Sequence, residues 1–488
     1  MSTYVFRTLS RNDSDQLGCD VGQVISVDML SDDVLLDVFH FFVDEAGREY
    51  ESDSEKDSMK AWQSLVHVCR RWRIVVFGSP RRLNLRLVCG FSTRARDTVN
   101  IWPALPLLIQ DYSLTGDVDN IVALLERSDV VPRICQIDLL QVFGLELEDI
   151  LETMQVSFPE LTHLILFHNG QMALPLSDLF LGGSAPRLRI LQLDQIPYPG
   201  LPKLLLSATH LTRLDYTNVP DSGYIPPEAM VACLSTLTSL EQLCLIFRFP
   251  RPLSNQESHG RPPSIRTSLP VLDNFMFVGS SEYLEVLVAP IDAPRLRELD
   301  IRFFSDIVFV TPQFTRFITR TPVLEASDTA EVDVLDDTAS VELSSAYARL
   351  NVSISCRELD WQLSFLEQVC TPFLPTLSTL EVLHMKSRRP WPQDWKDNID
   401  YAQWLELLHS FSTVKHLYLS KEFAPCVAAA LQELIGGRTI EVFPTLENIF
   451  LEELQESGPV QEGIGKFVAA RQVTSHPVTV SRWDRYSN

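Results

Sequence analysis

Apolar positions along the chain follow two rhythms, one with the period of a helix and one with the alternation of a strand. Between residues 30 and 82 the rhythm is helical. After Ser31, a fair N-cap, Val34, Leu35, Val38, Phe39 and Phe42 recur at helical spacing and define one face. Leu36, Phe41 and Val43 fall on the other sides, so this helix is apolar nearly all round and must be covered on more than one face. A second helix is predicted from about Ala61, with Trp62, Leu65, Val66, Cys69 and Val76 on one side and Val68, Trp72 and Val75 on another; Gly78-Ser79-Pro80 stops it. Two such short helices cannot bury all of this surface against each other. Burying one large apolar side chain is worth roughly 1.5 to 3 kcal/mol, so the surplus predicts a partner that seals it.

Beyond Pro80 the rhythm changes. Leu83-Asn84-Leu85-Arg86-Leu87-Val88 alternates as a strand does, and Leu105 to Ile109 is a second candidate strand. From about residue 130 one pattern returns: an apolar residue, two variable ones, an apolar, one variable, an apolar. Its copies are Ile134/Ile137/Leu139, Leu161/Leu164/Leu166, Leu188/Leu191/Leu193, Leu211/Leu214/Tyr216 and Leu240/Leu243/Leu245. Then come Leu272/Phe275/Phe277, Leu296/Leu299/Ile301, Leu380/Leu383/Met385, Val414/Leu417/Leu419 and Leu446/Ile449/Leu451. Several copies follow the same turn, as in Phe158-Pro159-Glu160, Ala185-Pro186-Arg187, Ala293-Pro294-Arg295 and Phe443-Pro444-Thr445. Between copies lie helical stretches: Glu228 to Leu237, Phe314 to Arg320, Trp361 to Val369, Tyr401 to Leu408 and Pro425 to Ile435. One strand and one helix per unit, none able to cover its own apolar face, is the physics of a stacked α/β solenoid. Ile464 to Arg471 reads as a closing helix and Val478 to Ser481 as a closing strand.

Three segments interrupt the array. Pro250 to Ser268 is rich in proline and serine, and Arg388 to Asp400 gathers Trp391 and Trp395 between prolines; both read as exposed loops. Glu325 to Ser345 carries seven acidic residues and no Lys or Arg, and fits the repeat poorly; a decorated repeat and a solvated excursion are both open. Residues 1–28 read as a mobile arm.

A length of 488 residues exceeds what one core usually supports, which agrees with two domains or an elongated array. The formal net charge of -23 argues against nucleic acid as the main ligand, because it repels a polyanion. No run approaches the length needed to cross a bilayer, and the nine cysteines are scattered with no Cys-x-x-Cys pair, so an intracellular, cytoplasmic or nuclear, chain without membrane contact is expected.

At the N-terminal helices the order of residues resembles a known family. Leu30-Ser31-Asp32-Asp33-Val34-Leu35-Leu36-Asp37-Val38-Phe39 and Trp62-Gln63-Ser64-Leu65-Val66-His67-Val68-Cys69-Arg70-Arg71-Trp72-Arg73 resemble the F-box, the segment that docks a Skp adaptor in Skp-cullin-F-box ubiquitin ligases. Ser31 replaces the usual proline, which keeps a helix start, and an acidic insert from Asp44 to Lys60 separates the halves. The later repeats resemble leucine-rich repeats, with only Asn169 standing where the family's asparagine ties one turn to the next. Together these imply an F-box domain over residues 29–82 and an irregular leucine-rich-repeat solenoid over 83–488, parallel strands on its concave face and helices on its convex face. The implied partners are a Skp-type adaptor, through it a cullin, and a protein substrate. Adaptor contacts are expected from Leu30, Val34, Leu35, Val38, Phe39, Leu65, Val66, Cys69 and Trp72.

No spacing in the chain points to catalysis, a metal or a cofactor: there is no phosphate-binding glycine loop, no His-Glu-x-x-His and no Gly-x-Ser-x-Gly. What a solenoid offers is the outward side of its strands, where side chains are free to vary. Candidate substrate contacts there are His163, Ile165, Arg213, Asp215, Met276, Glu298, Asp300, His384 and Tyr418, the histidines being read as surface residues. The expected function is thus a non-catalytic receptor subunit; the rival expectation is a leucine-rich-repeat scaffold acting outside ubiquitin transfer.

Overall fold

The computed structural model describes residues 27–45, 62–80, 82–90, 99–111, 118–169, 175–248, 266–304, 311–324, 327–335, 337–370, 379–387, 401–452 and 458–484. Most of the predicted arm, the acidic insert from residue 46, the proline-rich loop through residue 265 and the segment Arg388 to Asp400 lie outside these. The chain divides into two units, Met1–Arg86 and Leu87–Asn488.

In the first unit, helix α1 spans Asp32–Glu45, so it runs two residues into the stretch read as insert. The predicted second helix is broken. Residues 62–66 are helical, His67 and Val68 turn, and Cys69 in extended conformation (φ -155°, ψ 170°) caps helix α2, Arg70–Gly78, its Sγ accepting from the Trp72 N–H at 3.4 Å. Leu35, Leu36, Phe39, Trp62, Leu65, Val66, Val75 and Val76 are buried, and the Phe39 and Trp72 rings meet with centroids 4.7 Å apart. Arginines fasten the edge of this unit: Arg71 donates to Asp32 and to the Leu30 carbonyl, and Arg82 to Asp33 and Asp37.

Among the described residues the second unit is built on one sheet of sixteen strands. In chain order they are β1 (Leu87–Cys89), β2 (Leu107–Asp111), β3 (Ile134–Phe143), β4 (His163–Asn169), β5 (Ile190–Asp194), β6 (Arg213–Val219), β7 (Gln242–Phe247), β9 (Asn274–Gly279) and β11 (Glu298–Phe303). They continue with β12 (Thr329–Val334), β13 (Thr338–Ser344), β14 (Arg349–Ser355), β15 (Val382–Lys386), β16 (His416–Leu419), β17 (Asn448–Leu451) and β18 (Thr479–Arg482). Two short strands, β8 (Thr267–Ser268) and β10 (Ile291–Asp292), pair separately. In all ten predicted repeats the second and third apolar positions lie on a strand, the first lies at its start or just before it, and none of the thirty exposes more than 2% of its surface. Leu83 and Leu85 are buried but precede the first strand, which is shorter than the alternation suggested.

Successive units are tied by repeated local devices. Each Pro-containing turn returns the next strand by the same hydrogen bond, Leu161 N–H to Phe158 O, Leu188 to Ala185, Leu296 to Ala293 and Leu446 to Phe443, as proline pre-sets the second turn residue. Threonine hydroxyls bond back to the preceding unit: Thr162 to Cys135 O, Thr212 to Arg189 O, Thr413 to Leu380 O and Thr445 to Val414 O. They do the tying expected of an asparagine; the side chain of Asn169 lies outside the described residues. The Glu285 carboxylate accepts the Gln313 and Phe314 N–H groups at 2.9 and 2.8 Å, capping the helix Pro312–Thr319 from the unit before. Buried Arg471, on the closing helix Pro459–Val473, donates to the carbonyls of Thr439, Pro444 and Leu446.

One region departs from the plan. The strand order runs β9-β11-β14-β13-β12-β15, with β13 antiparallel to both neighbours and the other pairings parallel. Of the two readings of the acidic segment, the solvated excursion is excluded for its described residues, which form β12 and β13. Ala330, Val332, Val334, Ala339, Val341 and Leu343 point into the core at alternate positions, and Glu331, Asp333 and Glu342 alternate with them on the other side.

Candidate functional site: the outward face of the sheet

Because the register is continuous, outward side chains line up in rows. One row runs Asp138, Ile165, Gln192, Asp215, Cys244, Met276, Asp300, Asn351, Glu342, Glu331, His384, Tyr418, Phe450, Ser481. It contains six of the nine substrate candidates. His163, Arg213 and Glu298 belong to the next row. At about 4.8 Å per strand, Ile165 and Tyr418, ten strands apart, are separated by about 48 Å measured along the sheet. The candidates are not one compact group, however. Three strands stand between Asp300 and His384, about 19 Å, where the sequence order placed them in adjacent repeats.

Up to β12 this face is polar and internally bonded. Asp215 accepts from Gln192 and Arg213, each at 2.9 Å; Asp194 from Thr217 and Asn218; Asp300 from Asn351 at 2.8 Å; and Glu298 from Asn274. Arg349 pairs with Glu342 at 2.7 Å, and Lys386 with Glu331 at 2.6 Å. His163 Nδ1 is hydrogen-bonded to the Thr162 hydroxyl. Ile165 and Met276 supply half-buried apolar surface among these groups. Burial pushes the Cys244 thiol up to about 12, with Asp215 nearby adding to the effect, so it stays protonated and unreactive.

From β15 the same row becomes aromatic. The His384 and Tyr418 rings stack with centroids 4.4 Å apart and planes 19° apart, and Tyr418 stacks on Phe450 at 4.3 Å and 8°. Trp483, just past β18, lies across them, 5.7 Å from His384 and 5.5 Å from Tyr418. His384 is not an ordinary surface histidine. Burial, helped by the Lys386 charge and opposed by Glu331, lowers its pKa to about 4, so at neutral pH it is an uncharged ring in the stack. Sequence reasoning missed Glu331, Glu342 and Trp483. The first two had a signal in the strict alternation of their strands; Trp483, one residue beyond a closing strand, had none.

In the first unit the expected adaptor contacts divide. Leu35, Phe39, Leu65 and Val66 are buried, Phe39 against the Trp72 ring. Val34, Val38 and Cys69 are exposed, and Leu30 and Trp72 half-buried. Phe41, Phe42, Val68 and Ile74, absent from the expected set, are exposed. At 100° per residue the open positions 34, 38, 41 and 42 of α1 span about 100°, and the buried positions 35, 36 and 39 the adjoining 100°. Two apolar stripes lie side by side, one turned in and one turned out.

Among the described residues no group of three His, Cys, Asp or Glu is placed to hold a metal, and no helix is long and apolar enough to cross a membrane. No family model and no curated protein matches the chain. Among solved structures it is similar to the TLR13 chain of a TLR13–ssRNA13 complex, with 11% identity, 81% of this chain and 48% of that one covered, and a TM-score of 0.30. It is also similar to the leucine-rich repeat-containing protein LegL7 from Legionella pneumophila, with 12% identity, 78% and 97% covered, and a TM-score of 0.24. The chain thus spans about half the length of the TLR13 chain. Both scores are too low to bear on the fold, which stands on the stacked strand-and-helix units themselves.

Proposed function

We propose that this chain is a non-catalytic substrate-recognition subunit of a Skp-cullin-F-box ubiquitin ligase, its helical unit docking the adaptor and its outward sheet face holding a protein substrate. The observation that carries the reading is where exposed apolar surface lies. Of the seventeen exposed large apolar side chains among the described residues, seven lie between Met29 and Ile74, on the segment whose sequence resembles the F-box. Val34, Val38, Phe41 and Phe42 are 43%, 50%, 65% and 44% exposed along one stripe of α1. A concentration of this kind on a small unit marks an interaction surface, and sealing it drives association even after the entropic cost of binding. The docking set is accordingly Val34, Val38, Phe41, Phe42, Val68 and Ile74, beside Leu30, Cys69 and Trp72. The receptor makes and breaks no bond; the gain in rate comes from holding substrate lysines at high effective concentration near the ubiquitin-charged enzyme.

The test is capture of the full chain on an immobilised Skp-type adaptor. Binding by the intact chain, lost in Val38→Asp/Phe41→Asp with unchanged melting, is the expected result. No binding by the intact chain overturns it and favours a leucine-rich-repeat scaffold that works outside ubiquitin transfer.

A further inference from the structure

The aromatic end of the outward row lies on the side of the sheet opposite the repeat core. Leu383, Leu417 and Ile449, the inward neighbours of its three rings, are already fully buried on the other side of the sheet. His384, Tyr418 and Phe450 form a ladder only because register sets them opposite one another on adjacent strands. They are the one aromatic stretch of a row that is otherwise polar or aliphatic, and the neighbouring acids Glu331 and Glu342 are satisfied by Lys386 and Arg349. Trp483 covers the His384 and Tyr418 rungs. Its indole is tilted 54° to His384 and meets Tyr418 edge to face at 73°, and is left 8% exposed. The strand that delivers it is an edge: among the described residues β18 pairs on one side only, held by Thr479 N–H to Glu447 O, the Thr479 hydroxyl to Asn448 and Trp483 N–H to Leu451 O at 2.7 Å, while Thr479, Ser481 and Arg482 are exposed.

We infer that the His384–Tyr418–Phe450 ladder is a binding subsite for an aromatic side chain presented by a partner protein, and that Trp483 fills this subsite from within and competes for it. The indole seated there identifies the chemistry the subsite takes: a flat ring that meets the ladder edge to face. A partner ring gains access only in the fraction of molecules whose β18 end has lifted, so the site is weakened by its own occupant. The inference takes from the proposed function only that the outward face receives a protein.

The probe is the peptide acetyl-Ser-Arg-Trp-Asp-Arg-amide, the chain's own residues 481–485, with 5-fluorotryptophan as its aromatic residue, titrated into the full chain and followed by fluorine NMR. Saturable binding about tenfold tighter to Trp483→Ala than to the wild type is expected, with Trp483→Phe in between and Tyr418→Ala in the Trp483→Ala background losing it. The His384 ring, read by its proton NMR titration, moves toward an ordinary histidine pKa in Trp483→Ala and returns when peptide is added. Equal affinity for wild type and Trp483→Ala overturns the inference. So does a Trp483→Ala chain that no longer melts cooperatively together with a Trp483→Phe chain that binds no peptide, because Trp483 is then part of the core. Adaptor capture by Trp483→Ala, run in parallel, keeps the two readings apart: peptide binding without adaptor capture sinks only the ligase role, and adaptor capture without peptide binding sinks only the subsite.

Discussion

In the solenoid, thirty apolar positions from ten repeats expose no more than 2% of their surface each, whereas on α1 the open stripe of Val34, Val38, Phe41 and Phe42 sits beside the closed stripe of Leu35, Leu36 and Phe39. Both regions carry apolar residues at the spacing of their secondary structure. They differ in whether the chain itself supplies a second surface. Each repeat has a neighbour on either side, so stacking consumes its whole apolar face. The helical unit has one small core, and its second stripe exceeds what that core covers. Regular apolar spacing therefore marks a face to be buried without saying by what.

The sharpest way to break that contrast is to cut into the solenoid. Phe277 is fully buried and stacks on Tyr283 with centroids 5.8 Å apart, in a cluster with Phe247. Phe277→Ala is expected to lose about 4 kcal/mol, from burial lost and cavity left, seen as an earlier midpoint in denaturant melts. Phe39→Ala should cost about 3 kcal/mol and act on the helical unit alone, because its ring partner Trp72 lies in that unit. Hydrogen exchange would show amides of α1 and α2 losing protection while the strands keep theirs. A loss spread evenly over both units would mean that they share one core.

The outward row offers a test of intermediate size. With its pKa lowered to about 4, His384 takes up its proton in the unfolded chain near pH 6.5 and in the folded chain only near pH 4. Between those values the unfolded state binds more protons. Stability from this group is therefore complete above about pH 6.5 and declines as the pH falls toward 4, by about 2 to 3 kcal/mol in all. His384→Gln should melt with a shallower pH dependence across that window. Matching slopes for the two chains would place the imidazole in water instead of in the stack.

The ten repeats were legible because every unit solves the same problem in the same way, so ten weak matches reinforce one another. The strands β12 to β14 were not, although Ala330-x-Val332-x-Val334 alternates perfectly. Alternation reports which face is buried but not strand direction, and the repeat template asked for leucines where this meander has alanine and valine. At Cys69 the apolar period runs on through residues where the helix breaks, since a short turn followed by a new helix keeps the same side inward. The adaptor set mixes buried and exposed positions for a related reason. Two adjacent stripes on α1 are equally apolar, and only the second helical segment's placement decides that Leu35 and Phe39 turn in. Trp483 belongs to no period at all; its place across three other strands' side chains is set by tertiary structure.

The smallest expected effect is the one that most directly separates the two regions. Phe41 is 65% exposed in mid-helix, and no ring contact places it in the core. Phenylalanine and serine have similar helix propensities, so Phe41→Ser removes solvent-facing apolar surface and changes little else. Its stability should lie within about 0.5 kcal/mol of the wild type, as for surface substitutions that touch no buried group. The same change in an internal position such as Phe39 or Phe277 would be several times costlier. If Phe41→Ser instead lowers stability by about 2 kcal/mol, the stripe is already covered and the unit has no surface to offer. If stability holds while adaptor capture falls about tenfold, the side chain contributes to binding and not to folding, which is what a stripe left open for another molecule requires.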